Sequence, residues 1–96
     1  MTAYILVFGS DLITREDMRR FLDSCPKIED WRSDLPFCFY ILSNASASEL
    51  LEDLKSSMKT IDREARLFIS EIPENSDGFI TKESWYFITG PALAKQ

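Results

Sequence analysis

Two helical stripes set among four short β-type runs predict an α+β fold for this sequence, with one antiparallel sheet layered against two helices. Three observations carry the expectation. The runs follow in the order β-α-β-β-α-β. The first and third strand runs are apolar throughout, whereas the second and fourth are interrupted by polar residues. Each helical stripe opens on a capping residue. This order is that of a ferredoxin-like split βαβ sandwich, a four-stranded antiparallel sheet with both helices on one face. Such a topology puts the first and third strands in the middle of the sheet. These are the continuous apolar runs, so local pattern and topology agree.

Tyr4-Ile5-Leu6-Val7-Phe8 is apolar without interruption and ends at Gly9, as expected of a strand buried on both faces. Thr14 can cap the helix that follows, and Glu16 and Asp17 sit in its first turn near the positive end of the dipole. Met18, Phe21, Leu22 and Cys25 then recur at i, i+3, i+4 and i+7, on one helix face, until Pro26 stops the helix. Ile28 to Trp31 is short and polar-interrupted, an edge strand. Ser33-Asp34-Leu35-Pro36 is turn chemistry, and Phe37 to Leu42 is the second fully apolar strand, so these two runs predict a hairpin.

After a loop from Ser43 to Ser48, Ser46 and Glu49 have capping-box spacing. Leu50, Leu51, Leu54, Met58 and Ile61 form the stripe of the second helix. Leu67 to Ile72 is a strand closed by Pro73, followed by a turn from Glu74 to Gly78. The segment from Phe79 to Ile88 fits either an alternating strand or a short helix. Thr81 as cap, Trp85 and Ile88 three apart and Gly90-Pro91 as a stop favour the helix. No repeat, linker or low-complexity stretch divides residues 1–96, which read as a single domain.

Composition narrows the chemistry. The 96 residues are 45% hydrophobic and 28% charged, an ordinary globular balance. With no histidine, Ser-His-Asp and Cys-His catalysis, HExxH zinc sites and histidine-based pH switching are excluded. Eleven Lys+Arg against 16 Asp+Glu leave a net charge of −5, which disfavours nucleic acid as a partner. There is no secretory h-region at the N-terminus, and no apolar run approaches the about 18 residues needed to cross a bilayer, so a cytoplasmic location without membrane contact is expected.

Neither parity of the central strands is polar. Tyr4, Leu6 and Phe8 oppose Ile5 and Val7, while Phe37, Phe39 and Ile41 oppose Cys38, Tyr40 and Leu42. Two helices cover one sheet face, and soluble monomers avoid leaving a large aromatic patch in water. The expected solution is that the C-terminal segment folds across the second face together with a second copy of the chain. This makes the protein a homodimer with Phe39, Tyr40, Trp85 and Tyr86 as interface candidates.

No catalytic residue, metal ligand or cofactor is assigned. The loop after the first strand offers Ser10 and Asp11 as the weak catalytic candidates, Ser10 for an anion and Asp11 for a divalent cation, and the plainer expectation is a turn. Glu29, Asp30 and Asp34 could join Asp11 in carboxylate pairs, but a solvated edge is the expectation. Cys25, at a helix C-terminus, and Cys38, inside an apolar strand, read as small core hydrophobes. Arg15, Arg19 and Arg20 on the first helix with Lys27 just beyond it, and Lys55, Lys59, Arg63 and Arg66 along the second helix and its exit, read as solvated mixed-charge faces.

A strand run ending near a loop Asp, a hairpin, a Leu-rich helix and then Ala65-Arg66-Leu67-Phe68-Ile69-Ser70-Glu71-Ile72 form a layout that resembles the small ferredoxin-like proteins of the CRISPR-adaptation type. Virulence-associated protein D relatives and SinR-like proteins belong to the same group, and the resemblance runs from Tyr4 to Trp85. It implies a homodimer and, for some members, a metal-dependent nuclease with an Asp at the end of the first strand. The nearest counterpart here is Asp11, set after Gly9-Ser10. The expected function is a non-catalytic cytosolic protein-interaction or accessory module acting as a homodimer, with a protein partner. The alternatives are a nuclease-like or nucleic-acid-associated protein of the CRISPR-adaptation type and a small acidic inhibitor or antitoxin-like protein.

Overall fold

Backbone pairing follows the apolar runs. In this computed structural model, which describes residues 1–9, 13–58, 66–73 and 75–94, the order is β1 (Thr2–Phe8), α1 (Arg15–Ser24), β2 (Ile28–Leu35), β3 (Cys38–Ser43), α2 (Ala47–Met58), β4 (Leu67–Glu71) and α3 (Lys82–Ala94). The strands form a four-stranded sheet in the order β2-β3-β1-β4, with each neighbouring pair antiparallel. The two continuously apolar strands are therefore central. β1 and β2 run the same way with β3 between them, and β3 and β4 run the same way with β1 between them.

Capping sets the helix starts. In α1 the Asp17 amide donates to Thr14 Oγ1 at 3.0 Å, and the Thr14 amide donates back to the Asp17 carboxylate at 3.3 Å. Ile13 and Met18, at the two staple positions around that cap, are both buried in the core. In α2 the same reciprocal pair joins Ser46 and Glu49, at 3.1 and 3.2 Å.

Both helices send their apolar stripes to one sheet face. Tyr4, Leu6 and Phe8 of β1 and Phe39 and Ile41 of β3 meet Met18 and Leu22 of α1 and Leu50, Leu54 and Met58 of α2. Phe39 is the hub: its ring stacks on Phe8 with centroids 5.8 Å apart and takes the edge of Trp31 at 5.4 Å. Buried Ser43 ties this layer to its loops, its hydroxyl donating to the Lys27 carbonyl and accepting from the Ala45 amide.

Three local expectations are corrected. β2 does not stop at Trp31 but runs to Leu35, and only Pro36 and Phe37 form the turn. The polar Ser33-Asp34 stretch is accommodated by a break in register between Arg32 and Leu35. There the Ser33 hydroxyl hydrogen-bonds the carbonyls of Leu35 and Cys38. Phe37 accordingly lies outside β3, its ring set edge-on to Phe8 at 5.8 Å. The C-terminal segment is helical, as favoured, but it starts at Lys82 and continues through Gly90-Pro91 to Ala94.

α3 makes a third layer. Arg32 lies in register with Tyr40, on the side of the sheet opposite Phe39, and its Nε–H donates to Ser84 Oγ of α3 at 2.7 Å. The helix packs against β1, β2 and β3 on that second face.

Candidate functional site

The second face begins as an apolar surface because the odd residues of β1 and the even residues of β3 are apolar too. Register brings them together: Ile5 pairs with Tyr40, Val7 with Cys38 on one side and with Phe68 of β4 on the other. α3 divides this surface. Beneath it Cys38 and Tyr40 keep only 7% and 4% of their area in water. Beside it, toward β4, Val7 is 44% and Phe68 66% exposed. Burial raises the pKa of both the Cys38 thiol and the Tyr40 phenol, and for Tyr40 the nearby Cys38 and Asp34 add to the rise.

Polar groups fix where α3 sits. Thr81 caps the helix, its Oγ1 accepting from the Ser84 amide at 3.3 Å. The same hydroxyl donates to the Asp34 carboxylate at 3.0 Å, and the Thr81 amide donates to it at 3.4 Å. Fully buried Ser84 links Arg32 to Asp34, accepting from the guanidinium and hydrogen-bonding the carboxylate. These bonds, with Ser84 the largest contributor, hold the Asp34 carboxyl below its ordinary range. A carboxylate on the first turn of a helix also faces the positive end of its dipole.

Trp85, Tyr86, Phe87 and Ile88 are consecutive, so α3 carries apolar groups around its whole circumference. Trp85, Phe87 and Ile88 are half-buried, and Tyr86 points outward, 63% exposed, with the Lys82 ammonium 6.0 Å from its ring centroid. The two sheet edges also differ. β2 carries Glu29, Asp30, Arg32 and Asp34 and two breaks in register, the usual devices that blunt an edge. β4 carries one charge, Glu71, at its end, and pairs with β1 in unbroken register.

The interface candidates separate on this geometry. Phe39 has no surface to offer, because its parity faces α1 and α2, and its place among them corrects its assignment to an interface. Tyr40 lies on the second face but under α3, Trp85 is half-buried and Tyr86 is open. Ser10 and Asp11 lie outside the described residues, as do Lys59, Ile61 and Arg63.

Asp34 belongs to the α3 clasp and Asp30 accepts from the Trp31 amide at 2.8 Å. Among the described residues no three His, Cys, Asp or Glu side chains gather in a group able to hold a metal. Cys25 and Cys38 are both free thiols and buried, on opposite sides of the sheet. Burial raises the Cys25 pKa as it does that of Cys38. The helix-surface cations are paired or stacked: Arg19 with Glu16 at 3.6 Å and over the Trp31 ring, Lys27 with Asp53 at 3.5 Å, and Lys55 with Glu52 at 3.7 Å.

Val7 and Phe68 were not singled out in the sequence, nor was the pairing of Asp34 and Arg32 with Thr81 and Ser84. The available signal was parity, since Val7 and Phe68 both belong to runs that are apolar on both sides. Their meeting depends on the β1–β4 register, which parity does not supply. The chain matches no protein-family model, no curated protein and no solved structure. No helix of the described residues is long and apolar enough to cross a membrane.

Proposed function

We propose that the chain is a non-catalytic interaction module of the ferredoxin-like class that acts as a homodimer, two copies meeting along β4 and the open strip beside it. The class is supported by the strand order and by the crossovers β1-α1-β2 and β3-α2-β4, each joining parallel strands across an antiparallel one. The observation that carries the assembly is the Val7–Phe68 pair, two directly opposed apolar side chains left open next to an edge strand with little to blunt it.

A second copy is the occupant that fits this edge. Two β4 strands facing each other about a two-fold axis pair antiparallel, as every neighbouring pair in this sheet does, and the surface is then complementary to itself. The resemblance to the CRISPR-adaptation type of protein implies the same two-fold assembly. A stable contact of this kind buries roughly 1,200–2,000 Å² in total.

Light scattering on the eluting protein at tens of micromolar tests the reading. The expected mass is twice the chain mass of 11.1 kDa, and a single species at 11.1 kDa overturns the dimer.

A further inference from the structure

We infer that α3 is a hinged cover over the middle of the second sheet face, clasped shut by Asp34 and Arg32 and able to open as a unit while the rest of the fold stays intact. Three observations support it, none of which depends on the dimer. Among the described residues the main core lies on the other face: no described α3 side chain belongs to it, nor do Cys38 and Tyr40. Lifting α3 therefore leaves the α1, α2 and sheet packing in place, the condition for a local opening cheaper than global unfolding.

The approach to α3 is held only locally. Between Pro73 and Thr81 the described residues form no helix or strand, and Phe79 is fully exposed. The side-chain hydrogen bonds of the described residues there stay within the segment, from Ser76 to the Pro73 carbonyl and from the Gly78 amide to Asp77. What anchors the helix start to the sheet is the clasp, where Asp34 receives Thr81 and Arg32 reaches buried Ser84.

Opening uncovers Cys38 and Tyr40, so Cys38 is a built-in reporter of the cover, and Cys25, buried at the C-terminal cap of α1 on the other side of the sheet, is the internal control. Thiol labelling with a chromogenic disulfide is followed in Cys25→Ser protein, where Cys38 alone reports, and in Cys38→Ser protein, where Cys25 alone reports. Cys38 is expected to react faster than Cys25, with a much weaker dependence on denaturant than global unfolding shows. Asp34→Ala should accelerate Cys38 labelling roughly tenfold and leave Cys25 unchanged. Thr81→Val, which cuts the clasp from the helix side, should act in the same direction and serves if Asp34→Ala fails to fold.

Equal rates for the two thiols with the same denaturant dependence would show that only global unfolding exposes Cys38, and would overturn the cover. A Cys38 rate that falls with rising protein concentration would overturn it too, because dissociation of copies would then be the opening event. A rate independent of concentration supports it, whether or not the protein is a dimer.

Discussion

Val7 of β1 and Phe68 of β4 stand directly opposite each other on adjoining strands, yet both keep a large share of their surface in water, 44% and 66%. In the other apolar pairs of the sheet at least one member is covered by α1 and α2 or by α3, as where exposed Leu35 stands opposite buried Cys38. The pair marks where the chain's own helices stop covering it.

On the proposed assembly, Phe68→Asp should split the pair and leave the far-ultraviolet circular dichroism unchanged, because most of that residue already stands in water. Phe39→Asp should behave in the opposite way. It places a charge at the hub of the core and should cost roughly 4 kcal/mol or more, enough to unfold a domain of this size. Light scattering and circular dichroism on the two variants separate the roles. A Phe68→Asp protein that keeps the wild-type mass would remove β4 from the interface.

The two capping boxes give a second prediction. Thr14→Ala and Ser46→Ala should each lower stability by about 1 kcal/mol in urea titrations with unchanged slope. The double variant should show about the sum, since the caps belong to different helices and share no partner. A null result at Ser46 would mean that Glu49 and the Lys27 ammonium beside it hold that helix end without the hydroxyl.

Stability should be flat across neutral pH and fall on both sides. Hydrogen bonds from Thr14 to Asp17, from Ser84 and Thr81 to Asp34, and from Ser46 to Glu49 hold these carboxyls below their ordinary values. The unfolded chain then takes up protons first as pH drops, so the stability they contribute is whole above about pH 5 and is lost progressively below it. The buried Cys25 and Cys38 thiols are shifted upward. The unfolded chain loses their protons first, so stability declines as pH rises past about 8.5. With no histidine in the chain, melting temperature should show no step near pH 6.5. A step there would contradict this assignment.

No cleavage of RNA or DNA is expected with Mg²⁺ or Mn²⁺. The chain has no histidine to serve as general base and its net charge of −5 repels phosphate backbones. Cleavage that disappears in Asp11→Ala would promote the nuclease-like alternative over the interaction module.

Much of this architecture was legible because its signals are local. Thr14 with Asp17, and Ser46 with Glu49, are caps that close within three residues, and the stripes behind them follow helical spacing. The rest depended on residues far apart in the chain. Ser33 to Leu35 has turn chemistry, and it becomes strand where Asp34 meets Thr81, 47 positions away. Phe39 and Tyr40 are adjacent and equally apolar, so their composition does not say which faces α1 and α2. The candidate surface was legible only as a sheet face in need of cover. Its division into a half under α3 and a half left open at Val7 and Phe68 comes from where that helix lands.

The unequal edges of the sheet limit how far assembly can go. A chain with two receptive edges can add neighbours at both ends and grow into a ribbon without limit. In the proposed dimer β2, charged and broken in register, is the edge that would refuse a partner, and β4 the one that would accept it. Such a molecule has a valence of one: once two chains have met, neither has a receptive strand left to offer, and growth terminates at the pair.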